Sequence, residues 1–130
     1  MLRAITIIAA IVLILHGLVH LLYPPVYLKV TSVRAFDFKT TLLGGRWNVG
    51  ENGIRVFGFV WLVPVLGFVL AGIAWLAGWS WWQPVLLTST AVSLMLTALD
   101  WSVAYGGVVI DIAILVILGL GSRLLGFFSP

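Results

Sequence analysis

The sequence contains no cysteine and very little charge. Its 130 residues include seven Lys or Arg, four Asp or Glu and two His, so that 8% are charged, against about 25% in an average soluble domain. The absence of cysteine excludes disulfides, thiolate metal sites and thiol nucleophiles. The basic residues, which give a net charge of +3, are scattered rather than clustered, and this pattern argues against a nucleic-acid partner.

Common catalytic motifs are also missing. The chain has no GxSxG, no phosphate-binding P-loop and no GxGxxG fingerprint, which are the usual signs of hydrolase, NTPase and dinucleotide chemistry. The sequence therefore leans against an enzyme, although it leaves the question open.

Hydrophobic residues, by contrast, make up 62% of the chain, and the mean hydropathy is +1.20. About 20 apolar helical residues cross a hydrocarbon core of about 30 Å. Apolar stretches of this kind predict helices at Ala4–Tyr23, Ile54–Gly78, Trp82–Trp101 and Val103–Leu120. We therefore predict an all-α integral protein of the cell membrane, in which residues 1–130 form one up-down bundle of four transmembrane helices.

The longest connection in this bundle is the loop of residues 24–53. Pro24 and Pro25 should end the first helix, and aromatic residues such as Phe36 favour a structured lid over a disordered loop. Counting Lys and Arg in the short loops places residues 24–53 in the cytoplasm and both termini outside. We expect the first apolar stretch to be a retained helix rather than a signal peptide.

Ionisable residues concentrate near one end of the predicted bundle. The end of the first and third helices and the start of the second and fourth lie at one level in an up-down arrangement. An ionisable side chain in hydrocarbon is costly and marks a candidate site. The candidate ligand-binding layer comprises His16, His20, Tyr23, Glu51, Arg55, Asp100 and Asp111.

The histidines and two of the acids could form a metal site. His16 and His20 are four residues apart and project from one helix face. Together with Asp100 and Asp111 they offer ligands for zinc or non-haem iron. The same groups could act as a proton relay or as hydrogen bonds that fix the helix order. The cofactor therefore stays open among a metal ion, haem, a pigment and a quinone.

Other polar residues have simpler structural interpretations. Glu51 and Arg55 have the i, i+4 spacing of a local pair at a helix start. On the third helix a stripe of Ser89, Ser93 and Thr97 indicates either small-residue packing or part of a polar path. Pro64 predicts a kink in the second helix.

Two short motifs resemble those of a family of small four-helix prokaryotic integral membrane proteins. Residues 16–21 fit HGLxHL in the first helix, and residues 53–62 fit GxRxxGxxWL at the start of the second. The spacing of Gly45 and Gly50 and the acid at position 111 also fit the pattern. The resemblance implies the four-helix architecture and points to His16, His20, Arg55 and Asp111, but it implies no activity.

The sequence thus leaves three functions in view. Small size and the missing motifs favour an accessory or structural subunit that contacts the lipid bilayer and other membrane subunits or copies of itself. The polar layer would instead suit a protein that binds a metal, a quinone or a lipid-like substrate. An oligomeric proton-coupled transporter is the third possibility, although only the third helix supplies part of a polar path.

Overall fold

The computed structural model describes residues 1–124, without the side chains of Ser122 and Leu124. Residues 125–130 of the predicted domain lie outside this range. The helices are α1 Leu2–Val19, α2 Tyr23–Tyr27, α3 Gly50–Val60, α4 Leu62–Leu76, α5 Trp82–Leu99 and α6 Trp101–Leu124, and the strands are β1 Thr41–Leu42 and β2 Trp47–Asn48.

Four helical segments are long and apolar enough to cross a membrane. They are the first span Leu2–Tyr27, the second span Gly50–Leu76, the third span Trp82–Leu99 and the fourth span Trp101–Gly121. This finding confirms the predicted helical class and suggests a membrane protein. The spans pack in chain order, because α1 lies against α4, α4 against α5, and α5 against α6.

The first span continues beyond the prolines at which the sequence predicted its end. A 3-10 turn at His20–Leu22 follows α1, and Pro24 and Pro25 then occupy the first turn of α2. Proline is tolerated there because the first backbone N–H groups of a helix have no intrahelical partner. The extension brings Tyr27 into the bundle, where its side chain is fully buried.

The second span is interrupted at Trp61, between α3 and α4. Pro64 has no backbone N–H and therefore cannot donate to the carbonyl of Val60, so the break agrees with the kink predicted from the sequence. Below the break, α4 packs against α1 and α5, whereas α3 above it packs mainly against α2. The two halves of the second span thus have different main packing partners.

Glycines allow the close packing of α4. A Cβ atom at Gly67 would overlap the Ser89 hydroxyl of α5, and one at Gly72 would lie 2.6 Å from Ile14 Cγ1 and 3.0 Å from the Ala10 carbonyl of α1. Larger side chains at either position would push two helices apart.

The loop folds back onto the junction of α5 and α6. In its hairpin, Leu43, Gly44 and Gly45 have φ of 54°, 64° and 89°, a conformation that glycine adopts readily. The Leu43 amide donates to the Leu99 carbonyl at 2.8 Å, which ties the hairpin to the end of α5. Strand pairing joins Thr41 to Asn48.

Two apolar clusters form the core. The loop-side cluster comprises Val26, Tyr27, Leu42, Ile54, Phe57, Trp61, Leu96 and Ala104. The opposite cluster comprises Leu13, Phe68, Ala71, Ala74, Trp82 and Leu86. Buried polar residues lie between the two, since the ring of His20 is near both Trp61 and Phe68, with centroids at 5.3 and 5.7 Å.

Candidate functional site

A closed hydrogen-bond network joins the first, third and fourth spans. His16 Nε2 lies 3.0 Å from Asp111 Oδ1. Ser93 Oγ lies 2.6 Å from Asp111 Oδ2 and 2.7 Å from His20 Nε2. His20 Nδ1 donates to the His16 carbonyl at 2.7 Å. All four residues are buried, and Asp111 has no exposed surface.

Their positions follow from helix geometry. His16 and His20 are one turn apart on the same face of the first span, and Ser93 faces them from α5. Thr97, one turn beyond Ser93, lies 3.4 Å from Asp111 Oδ2 while it also contacts the Leu94 carbonyl at 3.2 Å. The third span thus presents hydroxyl groups between an imidazole of the first span and the carboxyl of the fourth.

The number of protons in the network can be counted if each contact is treated as a hydrogen bond. Its four contacts each need one hydrogen, whereas two neutral imidazoles, one hydroxyl and a carboxylate supply three. One further proton is required, either on His20 as imidazolium or on Asp111 as carboxylic acid. Both arrangements have zero net charge, which is the state that an apolar environment favours.

The network also contains the donor set of a metal site. Ligand atoms of His16, His20 and Asp111 lie within 4.8 Å of one another, and two imidazoles with a carboxylate suit zinc or non-haem iron. Ligand atoms of a tetrahedral zinc ion, with bonds of about 2.0–2.1 Å, lie about 3.4 Å apart. Binding would therefore need the three side chains to move closer together, with the loss of the present hydrogen bonds to Ser93 and between His16 and Asp111.

Asp100 belongs to a second buried group at the junction of α5 and α6. The Tyr27 hydroxyl and the Lys39 ammonium group both donate to its carboxylate, and Lys39 also lies 3.3 Å from Ser102 Oγ. Burial raises the pKa of the Asp100 carboxyl, and the hydrogen bonds from Lys39 and Tyr27 oppose that shift. This group connects the loop and the end of the first span to the bundle.

Glu51 forms a third, exposed group. Its Oε1 atom accepts from Lys29 Nζ at 2.9 Å and from Arg55 Nη2 at 2.8 Å. All three side chains are close to half exposed, so water screens the pairs and reduces their effect on stability. Arg55 thus makes the local helix-start pair predicted from its spacing, extended by Lys29 from the loop.

Tyr23 lies in an aromatic wall between these groups. Its ring stacks on Trp61 with a centroid distance of 3.9 Å and an interplanar angle of 10°, and it also lies against Phe36 at 5.1 Å. Trp61 is fully buried, and its Nε1 atom finds no acceptor among residues 1–124. Tyr23 thus lies between His20 of the polar network and Phe36 of the loop.

The structure therefore divides the predicted layer. It brings His16, His20 and Asp111 together but places Asp100, the fourth proposed metal ligand, in the group with Tyr27 and Lys39. Glu51 and Arg55 lie at the surface, and Tyr23 contributes the stacking of its ring on Trp61 and Phe36.

Three further residues of these groups lie outside the predicted layer. Ser93 belongs to the stripe that indicates either packing or part of a polar path, and in the structure it links His20 to Asp111. Tyr27 continues the spacing of His16, His20 and Tyr23 on one helix face, but the prolines before it predicted a loop. Lys39 has no local pattern that could reveal its partner.

Comparison with known proteins adds no relative. No protein-family model, no curated protein and no solved structure matches this chain. The resemblance of its short motifs to small four-helix membrane proteins stays a prediction, and the function has to be argued from the geometry.

Proposed function

We propose that the chain is a small multi-pass membrane protein that serves as an accessory or structural subunit of a larger membrane complex. The closed network around Asp111 carries this proposal. Its side chains are buried and bond to one another, so they join three spans. Hydrogen bonds between helices fix the helix order in membrane bundles. The outer helix faces then remain to contact other subunits.

The fourth span supplies the best docking face. Of its described side chains, those of Ala104 and Asp111 are buried, and α6 packs mainly against α5. A Cβ atom at Gly106 would meet nothing within 4 Å, so packing inside this chain does not call for glycine there. Glycine destabilises a helix by roughly 0.5–1 kcal/mol relative to alanine, but small residues let a second transmembrane helix approach closely.

Gly106 is the first residue of a strip that runs along the exposed face of α6. The strip comprises Gly106, Val109, Ala113 and Leu120, all exposed. The strip contains no charged residue, and its first residue is a glycine. We infer that a helix of another subunit packs against this strip.

Gentle extraction followed by native mass spectrometry tests the proposal. The unmodified chain should retain partner subunits, whereas Gly106→Leu and Ala113→Leu should lose them. Ala91→Leu on the exposed face of α5 is the matched control and should retain them. An unmodified chain that carries no partner, or a strip variant that behaves like the control, would contradict the proposal.

One observation favours a second function, metal binding by His16, His20 and Asp111. The same mass spectra discriminate between the two. If the unmodified chain carries a metal or cofactor mass that His16→Ala lacks, the network is a binding site rather than a structural element.

We also propose that the loop lies on the cytoplasmic side of the cell membrane, because it carries the excess of Lys and Arg. The absence of native cysteine makes single-cysteine labelling clean. In intact cells, a membrane-impermeant maleimide should label Ser80→Cys, between α4 and α5, and should spare Thr31→Cys. The reverse pattern would invert the topology.

A further inference from the structure

A groove of about 590 Å³ lies between α3 and α5, beneath the hairpin. It lies alongside α3, which packs mainly against α2 rather than against α5. Its volume falls in the range of about 300–1,000 Å³ that is usual for small-molecule sites. The groove lies on the opposite side of α3 from the Glu51 group, and none of its lining residues belongs to the polar network.

The groove is apolar and opens sideways. Leu42 and Trp47 of the hairpin, Val56 of α3, and Met95 and Leu99 of α5 are among its lining residues, and no charged side chain is. Val56 and Met95 are 63% and 52% exposed. Since α3 and α5 belong to the second and third spans, these exposed walls would face hydrocarbon rather than water. A lipid chain is the occupant that a bilayer supplies at such a surface.

The hairpin that lines one end of the groove also carries a cation. Arg46 is exposed and directly precedes the lining residue Trp47, although Arg46 is not itself a lining residue. Within residues 1–124, no carboxylate lies at ion-pair distance from Arg46, whereas Lys29 and Arg55 pair with Glu51 and Lys39 pairs with Asp100. Indole rings such as that of Trp47 prefer the membrane interface, which is the level of lipid headgroups.

We propose that this groove binds one anionic phospholipid. An acyl chain lies between α3 and α5, the hairpin covers its upper end, and Arg46 holds the phosphate. Guanidinium groups recognise phosphate by charge-assisted hydrogen bonds, and an uncompensated cation selects an anionic lipid over a zwitterionic one. The inference rests on the membrane location in the proposed function and is independent of the subunit role.

The experiment uses the purified full-length chain in nanodiscs that contain equal amounts of phosphatidylglycerol and phosphatidylcholine. Native mass spectrometry then measures which lipid stays bound after release. We expect one retained phosphatidylglycerol. Arg46→Ala should lower the ratio of retained phosphatidylglycerol to phosphatidylcholine about fivefold, the effect of one basic residue near an anionic surface. Arg3→Ala, a change of the same charge at the other end of the bundle, should not alter the ratio.

A second variant tests the groove itself. Val56→Trp should fill the groove and abolish lipid retention, whereas Leu66→Trp, at a residue of α4 that is 61% exposed and outside the groove, should not. Both replace exposed residues, and circular dichroism checks that the variants remain helical. Equal retention of both lipids by the unmodified chain, an unchanged ratio in Arg46→Ala, or a second protein copy in place of lipid would each overturn the proposal. Loss of partner subunits would leave this result untouched, so the two proposals fail separately.

Discussion

Asp111 and Asp100 are both fully buried, yet they stabilise different parts of the molecule. Asp111 lies within α6 and bonds to side chains of two other spans, His16 and Ser93. Asp100 lies at the turn between α5 and α6 and bonds to Tyr27 at the end of the first span and to Lys39 in the loop. One acid connects helices within the bundle, and the other connects the loop to it.

The two acids also differ in how their charge is balanced. Lys39 brings a full positive charge to Asp100, and its side chain is 24% exposed, so it stays in contact with water. Asp111 has no Lys or Arg partner among residues 1–124, and imidazole and hydroxyl groups contact its carboxyl instead. A buried acid at a helix junction can therefore recruit a cation from a loop, whereas one within the bundle depends on imidazole and hydroxyl groups.

The largest loss of stability is expected when Asp111 is replaced. Asp111→Ala removes the acceptor of His16 and of Ser93, and each unsatisfied buried group costs about 1–3 kcal/mol. We expect the free energy of unfolding to fall by about 3 kcal/mol, since the two groups add. Circular dichroism during denaturation of the detergent-solubilised chain by sodium dodecyl sulfate measures it.

Asp111→Asn is the matched control for that experiment. The amide is neutral, offers one acceptor and one donor group, and can replace a neutral carboxylic acid in the network. We therefore expect it to retain most of the stability that Asp111→Ala loses. Equal destabilisation by both variants would mean that the network needs an ionised carboxylate, and the arrangement with the extra proton on Asp111 would be wrong.

The contrast between the two acids also shows what a sequence can predict. The four apolar helices follow from length and hydropathy, because each must cross the same thickness of hydrocarbon. The grouping of His16 and His20 with Asp111 follows from their common level in the bundle. Asp100 has the same level along the chain, but its position at the helix end exposes it to the loop, whose fold was not predictable from the sequence.

Two local features explain the remaining differences. Pro24 and Pro25 normally end a helix, but here a 3-10 turn restarts it, so Tyr27 joins the core. The pairing of Lys39 with Asp100 spans 61 residues and joins the loop to the junction of α5 and α6. Contacts between residues so far apart in sequence are set by tertiary packing, and the hydrophobic periodicity of a sequence does not predict them.

A smaller effect is expected at Asp100. Asp100→Ala removes the partner of Tyr27 and Lys39, but Lys39 can return to water, so we expect a loss of about 1–2 kcal/mol. Its main effect should be local release of the loop. Limited trypsin digestion should cleave after Lys39 and Arg46 several times faster than in the unmodified chain, while the helices stay intact.

The double variant Asp100→Ala, Lys39→Ala tests whether these side chains act as a pair. Because the lost interaction is shared, the double variant should be little less stable than Asp100→Ala alone. The cleavage after Arg46 provides the readout, since Lys39 itself is replaced. If the losses add, Lys39 stabilises the loop by other contacts and the assigned role of Asp100 as loop anchor fails.

The smallest effect on stability is expected at Glu51, the acid whose side chain is exposed. Its pairs with Lys29 and Arg55 involve side chains that are 44–48% exposed, and exposed pairs are screened by water and salt. Glu51→Gln should therefore leave the denaturation midpoint unchanged at low and at high salt. A loss comparable to that of Asp100→Ala, present at low salt and abolished at high salt, would show that Lys29 also anchors the loop through Glu51. The loop would then depend on two acids, and burial would no longer explain which acid anchors it.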